Sequence, residues 1–159
     1  MISNDATPAR LGDHFFMMSA LQQAKIAARR GEVPVGAVAV QRGRVIAVGS
    51  NRTITDHDPT AHAEIVALRA GAAQMQNYRT DGVTIYVTLE PCPMCAGAMV
   101  HARVDRVVFG AADPKTGALG GALDLLSSSA VNHRFEVTQG VLGAECGEML
   151  RTFFRERRQ

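Results

Sequence analysis

Two short segments of the sequence carry the side chains best suited to chemistry. His62 and Glu64 stand two residues apart in the first, and Cys92 and Cys95 stand three apart in the second. Imidazole and thiolate groups are typical zinc ligands, and three of them leave a fourth position for water. Zinc lowers the pKa of that water from about 15.7 toward about 7. His62, Cys92 and Cys95 are therefore candidate zinc ligands, and Glu64 is a candidate proton carrier.

Both segments are predicted to begin helices. Pro91 and Pro93 flank Cys92, and proline favours the first turn of a helix. The two cysteines then lie on one face of that turn, where the helix dipole and a bound metal both lower the pKa of a thiol. The combination of His-x-Glu with Pro-Cys-x-x-Cys is the signature of zinc-dependent nucleobase deaminases, which makes such an enzyme the first hypothesis.

Other interpretations of these residues stay open. The cysteine pair could be a redox couple, which would leave the His-x-Glu segment without a role. A purely structural zinc would need a fourth ligand, for which Cys146 is the candidate, although its apolar neighbours predict that it is buried. Glu64 could be a first-turn carboxylate placed by the helix dipole. Asn51 follows a predicted strand and is equally compatible with a turn.

Length and composition indicate the class of protein. The 159 residues, 47% of them apolar, suit one domain (1–159) with a proper core, and residues 1–10 are expected to be disordered. No apolar run approaches the roughly 20 residues that span a bilayer, and the N-terminus lacks the pattern of a signal peptide. A cytoplasmic protein without membrane contact is expected. Three cysteines are too few for a disulfide framework.

Periodicity and breakers predict an alternation of helices and strands. Helices are predicted at 13–30, 61–73 with Thr60 as N-cap, from Pro91 and Pro93 to about 101, and at 144–159. Strands are predicted at 35–40, 44–48, 83–89, 104–109 and 135–138, with a tight turn at Arg42-Gly43 and a loop at 113–121. This order favours a central sheet covered by helices. Strands 83–89 and 104–109 should be parallel, joined by a right-handed crossover.

The C-terminal end of the sequence is basic. Four arginines, opposed by Glu156, crowd the last nine residues: Arg151, Arg155, Arg157 and Arg158. Such a cluster is either a solvated helix face or a site for phosphates.

At these residues the sequence resembles the bacterial tRNA-specific adenosine deaminases, the TadA family. The resemblance covers nearly the whole chain. It is carried by EVPVGAV at 32–38, DPTAHAEI at 58–65, YVTLEPCPMCAGAM at 86–99, RVVFGA at 106–111, KTG at 115–117, NHR at 132–134 and FFR at 153–155. The last three groups separate this family from cytidine and guanine deaminases that share the zinc motif.

The resemblance implies a fold, an activity and partners. The fold is three-layer α/β/α, cytidine-deaminase-like, with a central mixed sheet of about five strands and helices on both faces. The activity is zinc-dependent hydrolytic conversion of adenosine to inosine at wobble position 34 of tRNA, with arginine tRNA of anticodon ACG as the usual substrate. One Zn²⁺ per subunit, a homodimer and binding of the anticodon stem-loop are also implied.

Site residues follow from the same resemblance. His62, Cys92 and Cys95 would bind zinc, and Glu64 would shuttle protons. The substrate-binding residues would include Asn51 and the backbone of Ala63 at the base, pocket walls from Val35, Ile54 and Leu89, loop contacts from Asp113 and Lys115, and Phe154 in the C-terminal helix.

Two rival functions remain at this stage. A deaminase of free cytosine, guanine or a nucleoside would share the zinc motif but would not need the Asp113 loop or the Phe-Phe-Arg end. A non-catalytic, zinc-stabilised RNA-binding module would not need Glu64 or an open position on the metal.

Overall fold

Helices and strands alternate through residues 8–158, the part of the chain that the computed structural model describes. Most of the segment predicted to be disordered, 1–10, therefore lies outside the described residues, as does Gln159. The elements are α1 (Asp13–Arg29), β1 (Gly36–Gln41), β2 (Arg44–Ser50), α2 (Ala63–Met75), β3 (Val83–Leu89), α3 (Pro93–Ala102), β4 (Arg106–Ala111), a short 3-10 helix (Leu125–Ser127), β5 (Glu136–Thr138) and α4 (Gly143–Arg157).

The strands form one mixed sheet in the order β2-β1-β3-β4-β5. β1 pairs antiparallel with both β2 and β3, whereas β4 pairs parallel with β3 and β5. The predicted parallel β3–α3–β4 unit is thus confirmed. Arg42 and Gly43 join β1 to β2 with φ angles of 52° and 74°, the left-handed pair that a tight two-residue hairpin turn requires.

Helices cover both faces of the sheet, which confirms the predicted three layers. Side chains of α2 and α3 share one apolar core with Val87 and Phe109 of the sheet. Met17 of α1 and Cys146 of α4 share a second core with Val108, on the opposite face. Successive strand residues point to opposite faces, so each strand contributes to both cores.

Glycines let two helices approach the sheet closely. A Cβ at Gly49 in β2 would lie 2.3 Å from the carbonyl oxygen of Ala63 and 2.6 Å from the nitrogen of Ala67. Gly36 in β1 similarly meets the backbone of α1. Because Ala63 begins α2, the glycine in β2 sets how near the start of that helix lies to the sheet.

One prediction about a helix was wrong in detail. α2 begins at Ala63 with His62 as its N-cap, two residues later than Thr60 would place it. The cause is Asp58, whose carboxylate accepts hydrogen bonds from the Thr60 N–H and hydroxyl at 2.9 and 2.7 Å and holds this residue in a turn.

The topology brings several chain ends to one edge of the sheet. The carboxyl ends of β2, β3 and β4 and the amino end of β1 share this edge, because β1 runs opposite to the other three. The loops that follow these strands and the N-termini of α2 and α3 therefore meet there. Within residues 8–158, no helix has the length and apolar character needed to cross a bilayer.

Candidate active site

A cavity of about 180 Å³ opens at this edge of the sheet. Its position fits the rule that ligands of open α/β sheets bind outside the carboxyl ends of the strands. The lining comes from four loops and the first turns of two helices: Val33, Val35, Asn51, His62, Glu64, Leu89, Glu90, Cys92, Asp113 and Thr116.

The three predicted metal ligands converge beside this cavity. Nδ1 of His62 lies 3.6 Å from Sγ of Cys92 and 3.4 Å from Sγ of Cys95. Tetrahedral zinc holds sulfur at about 2.3 Å and nitrogen at about 2.0–2.1 Å, which places such ligands roughly 3.5 Å apart. The distances therefore fit the separation that a shared zinc ion requires, and Nδ1 would be the ligating nitrogen of His62. His62 and Cys92 are the N-cap residues of α2 and α3.

The two sulfurs cannot both be anions without a cation between them. A hydrogen bond from the Cys95 thiol lowers the pKa of Cys92 to about 4. The hydrogen bond to Cys92 and burial raise the pKa of Cys95, because a second negative charge would stand beside the first. A divalent cation removes this conflict, since it binds both thiolates. The donor set thus suits a metal ion in chemistry as well as in distance.

Glu64 stands beside these ligands in the first turn of α2. Its side chain is 4% exposed, and this burial raises the pKa of the carboxyl group to about 7. The carboxylate also contacts its own backbone N–H and the Cys95 sulfur. A carboxyl group with a pKa near neutrality can both take and give a proton, which is what a shuttle requires.

Cys146 is far from this group in the fold. Its buried sulfur packs in the core between α1, α4 and the sheet, where a Cβ on Gly110 would come within 2.4 Å of it. Within residues 8–158, His62, Cys92 and Cys95 form a metal-capable group with no fourth protein ligand. The structural-zinc alternative with Cys146 as ligand is therefore wrong, and the prediction that Cys146 is buried is confirmed.

Several predicted substrate-binding residues line the cavity, and their roles in binding stay predictions. Asn51 is buried, and its side-chain amide makes no hydrogen bond to any residue from 8 to 158, whereas its backbone N–H donates to the oxygen of Val35 at 3.1 Å. Val35 and Leu89 form apolar walls. Ala63 is the first residue of α2, so its N–H is a donor that the helix itself leaves free.

The remaining predicted residues lie at or beyond the rim. Asp113 lines the cavity, but its carboxylate is occupied by the backbone N–H groups of Lys115 and Thr116 and by the Thr116 hydroxyl. Lys115 is exposed and lies with Phe154 on a separate depression of about 470 Å³. Ile54, predicted as a pocket wall, is 65% exposed and lies outside the cavity lining.

Two buried glutamates were not singled out from the sequence. Glu90 accepts three backbone N–H groups from the 113–121 loop. Glu32 accepts hydrogen bonds from Ile54 and Thr55 in the loop on the other side. Both lie inside segments that carry the family resemblance. For Glu90, the place directly after the buried strand β3, with no basic residue nearby in sequence, could have indicated such a role.

Known proteins share both the sequence and the fold. The family described as MafB19-like deaminase matches residues 12–158. A tRNA-specific adenosine deaminase of Haemophilus influenzae is 53% identical over 148 residues, which cover 92% of this chain and 86% of that protein. The chain belongs to the tRNA-specific adenosine deaminase family. It is therefore a hydrolytic deaminase, as the sequence predicted.

Solved structures agree with this assignment. A structure from a study of A-to-I editing by tRNA:A34 deaminases matches this deaminase with a TM-score of 0.83 and 44% identity, covering 86% of this chain and 99% of the other. A guanine deaminase of Bacillus subtilis matches with a TM-score of 0.59 and 39% identity, covering 62% and 63%. The predicted cytidine-deaminase-like fold is thereby confirmed.

Proposed function

We propose that this deaminase converts adenosine to inosine at wobble position 34 of tRNA, with one Zn²⁺ per subunit held by His62, Cys92 and Cys95. The observation that carries the proposal is a group of three metal-capable side chains, two of which line a small cavity together with a buried carboxylate and an unengaged amide. The identity to tRNA-specific relatives supports tRNA as the substrate. Arginine tRNA with anticodon ACG is the proposed species, since it is the usual substrate of the family.

The size of the cavity determines how the substrate must enter. Pockets for drug-sized ligands occupy about 300–1,000 Å³, whereas this cavity has about 180 Å³. One planar base fits such a space, and the rest of an RNA must stay outside. An anticodon loop presents bases that are already unpaired, so turning one of them into the cavity costs at most a few kcal/mol.

Within the cavity, the chain's own groups orient the base and move protons. The free amide of Asn51 and the N–H of Ala63 would bond the edge of the ring, while Val35 and Leu89, which line the cavity, would contact its faces. Zinc, when bound, supplies Lewis acidity that makes a water molecule nucleophilic at neutral pH. Glu64 takes a proton from the attacking water and delivers protons to ring N1 and then to the leaving amine. Water and adenosine thus yield inosine and ammonia.

Outside the cavity, a basic surface offers contacts for the flanking nucleotides. The depression beside the cavity rim is lined by Lys115, Leu150, Arg151, Phe154, Arg155 and Arg158. Positive charge around an exposed aromatic ring suits single-stranded RNA, because phosphates and stacked bases bind together there. This surface favours a site for phosphates over a merely solvated helix face. A homodimer, which the family resemblance implies, and the cytoplasmic location expected from the sequence complete the proposal.

The test compares substrates of one preparation. Purified protein loaded with zinc is incubated with an anticodon stem-loop that carries A34, with the same stem-loop carrying G34, and separately with adenosine, cytidine, cytosine and guanine. Inosine in the RNA is read as guanosine after reverse transcription, and ammonia release is measured for every substrate. Inosine at position 34, with little ammonia from the small molecules, is the expected result.

One specific observation favours a second candidate, the deamination of guanine. The guanine deaminase match at 39% identity shares the fold over 62% of this chain. Rapid ammonia release from free guanine with no inosine in the RNA would establish that alternative instead. Binding of RNA without any ammonia release, by protein that holds one zinc per chain, would favour the non-catalytic module.

A further inference from the structure

Glu90 is a buried acid without a basic partner. Its side chain is 3% exposed, and within residues 8–158 it forms no salt bridge. Acidic side chains are seldom buried unless they are paired, because burial costs them their hydration. The position of Glu90 is also unusual, since it directly precedes Pro91 and the metal ligand Cys92 and itself lines the cavity.

Backbone groups of one loop replace the missing cation. One carboxylate oxygen of Glu90 accepts the N–H of Asp113 at 2.9 Å. The other accepts the N–H groups of Leu119 at 3.0 Å and Gly121 at 2.8 Å. Hydrogen bonds to an ionised acceptor are about twice as strong as those between neutral groups. The two ends of the 113–121 loop are therefore held by the same side chain.

The loop is shaped around this carboxylate. A Cβ at Gly117 would lie 2.3 Å from Cδ of Glu90, and a Cβ at Gly121 would lie 2.6 Å from its Oε1. Side chains at these two positions would collide with the acid, so the glycines leave the space that it fills. A second hydrogen bond also joins the loop to this segment: the N–H of Ala118 donates to the backbone oxygen of Pro91 at 2.8 Å.

The same loop supplies one rim of the cavity. Asp113 and Thr116 line it, and Lys115 stands between them on the exposed side. The carboxylate of Asp113 accepts hydrogen bonds from Lys115 and Thr116 of the same loop. These bonds order residues 113–116 relative to one another. Glu90 ties this ordered unit to the segment that carries Cys92, through the bond to the Asp113 N–H.

We propose that Glu90 is a positioning residue, which holds the 113–121 loop against the metal site and so sets the affinity for the nucleotides beside the reacting base. This inference rests on the proposed function, because it takes RNA as the substrate. Glu90 touches neither the metal ligands' donor atoms nor the proton path of Glu64, so its effect should fall on substrate binding more than on the chemical step.

The decisive variant is Glu90→Gln, which keeps the size of the side chain but turns one acceptor oxygen into a donor. In either orientation the amide faces at least one backbone N–H, so at least one tie is lost. For the A34 stem-loop we expect KM to rise about tenfold to a hundredfold, the effect of losing one or two hydrogen bonds to a charged group, with kcat within about threefold of wild type. Zinc content should be unchanged.

Two further measurements separate positioning from other effects. Hydrogen exchange of the amides at 113, 119 and 121 should become at least about tenfold faster in Glu90→Gln, while amides in α2 stay protected. Glu145→Gln is the matched control, because it removes an equal charge from an exposed position in the first turn of α4. It should leave KM, kcat and loop exchange at wild-type values.

Other outcomes overturn the proposal. A fall in kcat with unchanged KM would place Glu90 in the chemical step. Loss of zinc would mean that Glu90 holds the ligand Cys92 in place and does not act through the loop. Unchanged kinetics and loop exchange would show that the loop needs no such tie. If Glu90→Gln does not fold, Gly117→Ala decides, since its Cβ would lie 2.3 Å from Cδ and 2.4 Å from Oε2 of Glu90 and the variant should raise KM likewise. If wild type makes no inosine from any RNA, the proposed function fails, and loop exchange alone then decides whether Glu90 positions the loop.

Discussion

At the scale of single residues, the chemistry of the site depends on where four side chains meet. His62 and Cys92 each cap a helix in extended backbone conformation, which turns their ligand atoms toward one point. Glu64 lies in the first turn of α2 and is buried beside Cys95. Because its neighbours exclude water, the carboxyl group keeps a pKa near neutrality and stays available for proton transfer.

The clearest prediction at this scale concerns Glu64→Gln. The amide has the same shape but cannot take a proton from water, so the turnover of A34 RNA should fall by about a hundredfold to ten-thousandfold. Zinc content and RNA affinity should stay at wild-type levels, because no ligand atom changes. Single-turnover inosine formation and metal analysis of the same sample measure this. Turnover within about threefold of wild type would remove Glu64 from the mechanism.

A pair of cysteine variants tests the ligand assignment. Cys92→Ser removes one ligand, so we expect the purified protein to lose most of its zinc and all detectable deamination. Cys146→Ser makes the same atomic change in the core beneath α4, so it should keep one zinc per chain and lose only some thermal stability. A colorimetric chelator assay after denaturation counts the metal in each. Equal zinc loss in both variants would contradict the assignment.

At the scale of elements, helix starts and loops position the site, and the sequence predicts these unevenly. β3 was predicted at its observed bounds, because a short run rich in β-branched and apolar residues favours a buried strand. The start of α2 was not predicted correctly. Thr60 can either cap the helix or donate hydrogen bonds to Asp58, and in the structure it donates to Asp58. The exposure of Ile54 depends on Glu32, distant in sequence, which holds its loop. Hydrogen bonds between residues distant in sequence leave no local sequence pattern from which they could be predicted.

The packing of α2 on the sheet gives a prediction for Gly49→Ala. The added methyl group would lie 2.3 Å from the oxygen of Ala63, so the start of α2 must shift, at a cost of about 1–3 kcal/mol in the free energy of unfolding. The shift should also reduce deamination, since His62 and Glu64 belong to that helix start. Gly97→Ala is the control, because its Cβ meets nothing within 4 Å in α3 and alanine favours a helix by about 0.5–1 kcal/mol. Urea unfolding compares them, and equal stabilities would contradict the close approach.

At the scale of the whole molecule, the two faces of the sheet carry different polar groups. The metal ligands lie with α2 and α3, whereas the opposite face buries an ion pair between Asp13 of α1 and Arg106 of β4. Asp13 accepts two bonds from the guanidinium, one from the Tyr86 hydroxyl and one from the Arg10 N–H. The pair ties α1 to β4, although Asp13 and Arg106 are 93 residues apart in the sequence.

This ion pair predicts how stability changes with pH. Burial alone would raise the pKa of Asp13, but the bonds from Arg106, Arg10 and Tyr86 outweigh it and lower the net value. The ionised form therefore adds stability above the ordinary pKa of about 3.9, and this is lost as the pH falls through the lower folded-state value. Asp13→Asn leaves the arginine charge buried and should cost about 3–5 kcal/mol at pH 7.

The difference in unfolding free energy between wild type and Asp13→Asn should be constant from pH 7 to about pH 5 and should shrink below about pH 4. Denaturant titrations at several pH values measure it. Asp56→Asn is the control, because Asp56 pairs with Arg52 on the surface and exposed pairs contribute little. A difference that stays constant down to the acid unfolding limit would show that folding does not lower the pKa of Asp13.

The basic surface at the end of α4 makes RNA binding sensitive to salt. Lys115 and Arg158 line it and form no salt bridge with residues 8–158, so both are free to meet phosphates. Each phosphate contact adds about 0.7 to the slope of log affinity against log salt for single strands. The variant carrying Lys115→Gln and Arg158→Gln should therefore bind the stem-loop more weakly, with a slope smaller by about one to one and a half.

Arg44→Gln is the control, because the β1–β2 hairpin lies at the sheet end opposite the cavity. Fluorescence anisotropy at four salt concentrations gives the slopes. A wild-type affinity that does not change with salt would mean that this surface contacts no phosphate, and RNA would then have to be held by the cavity alone.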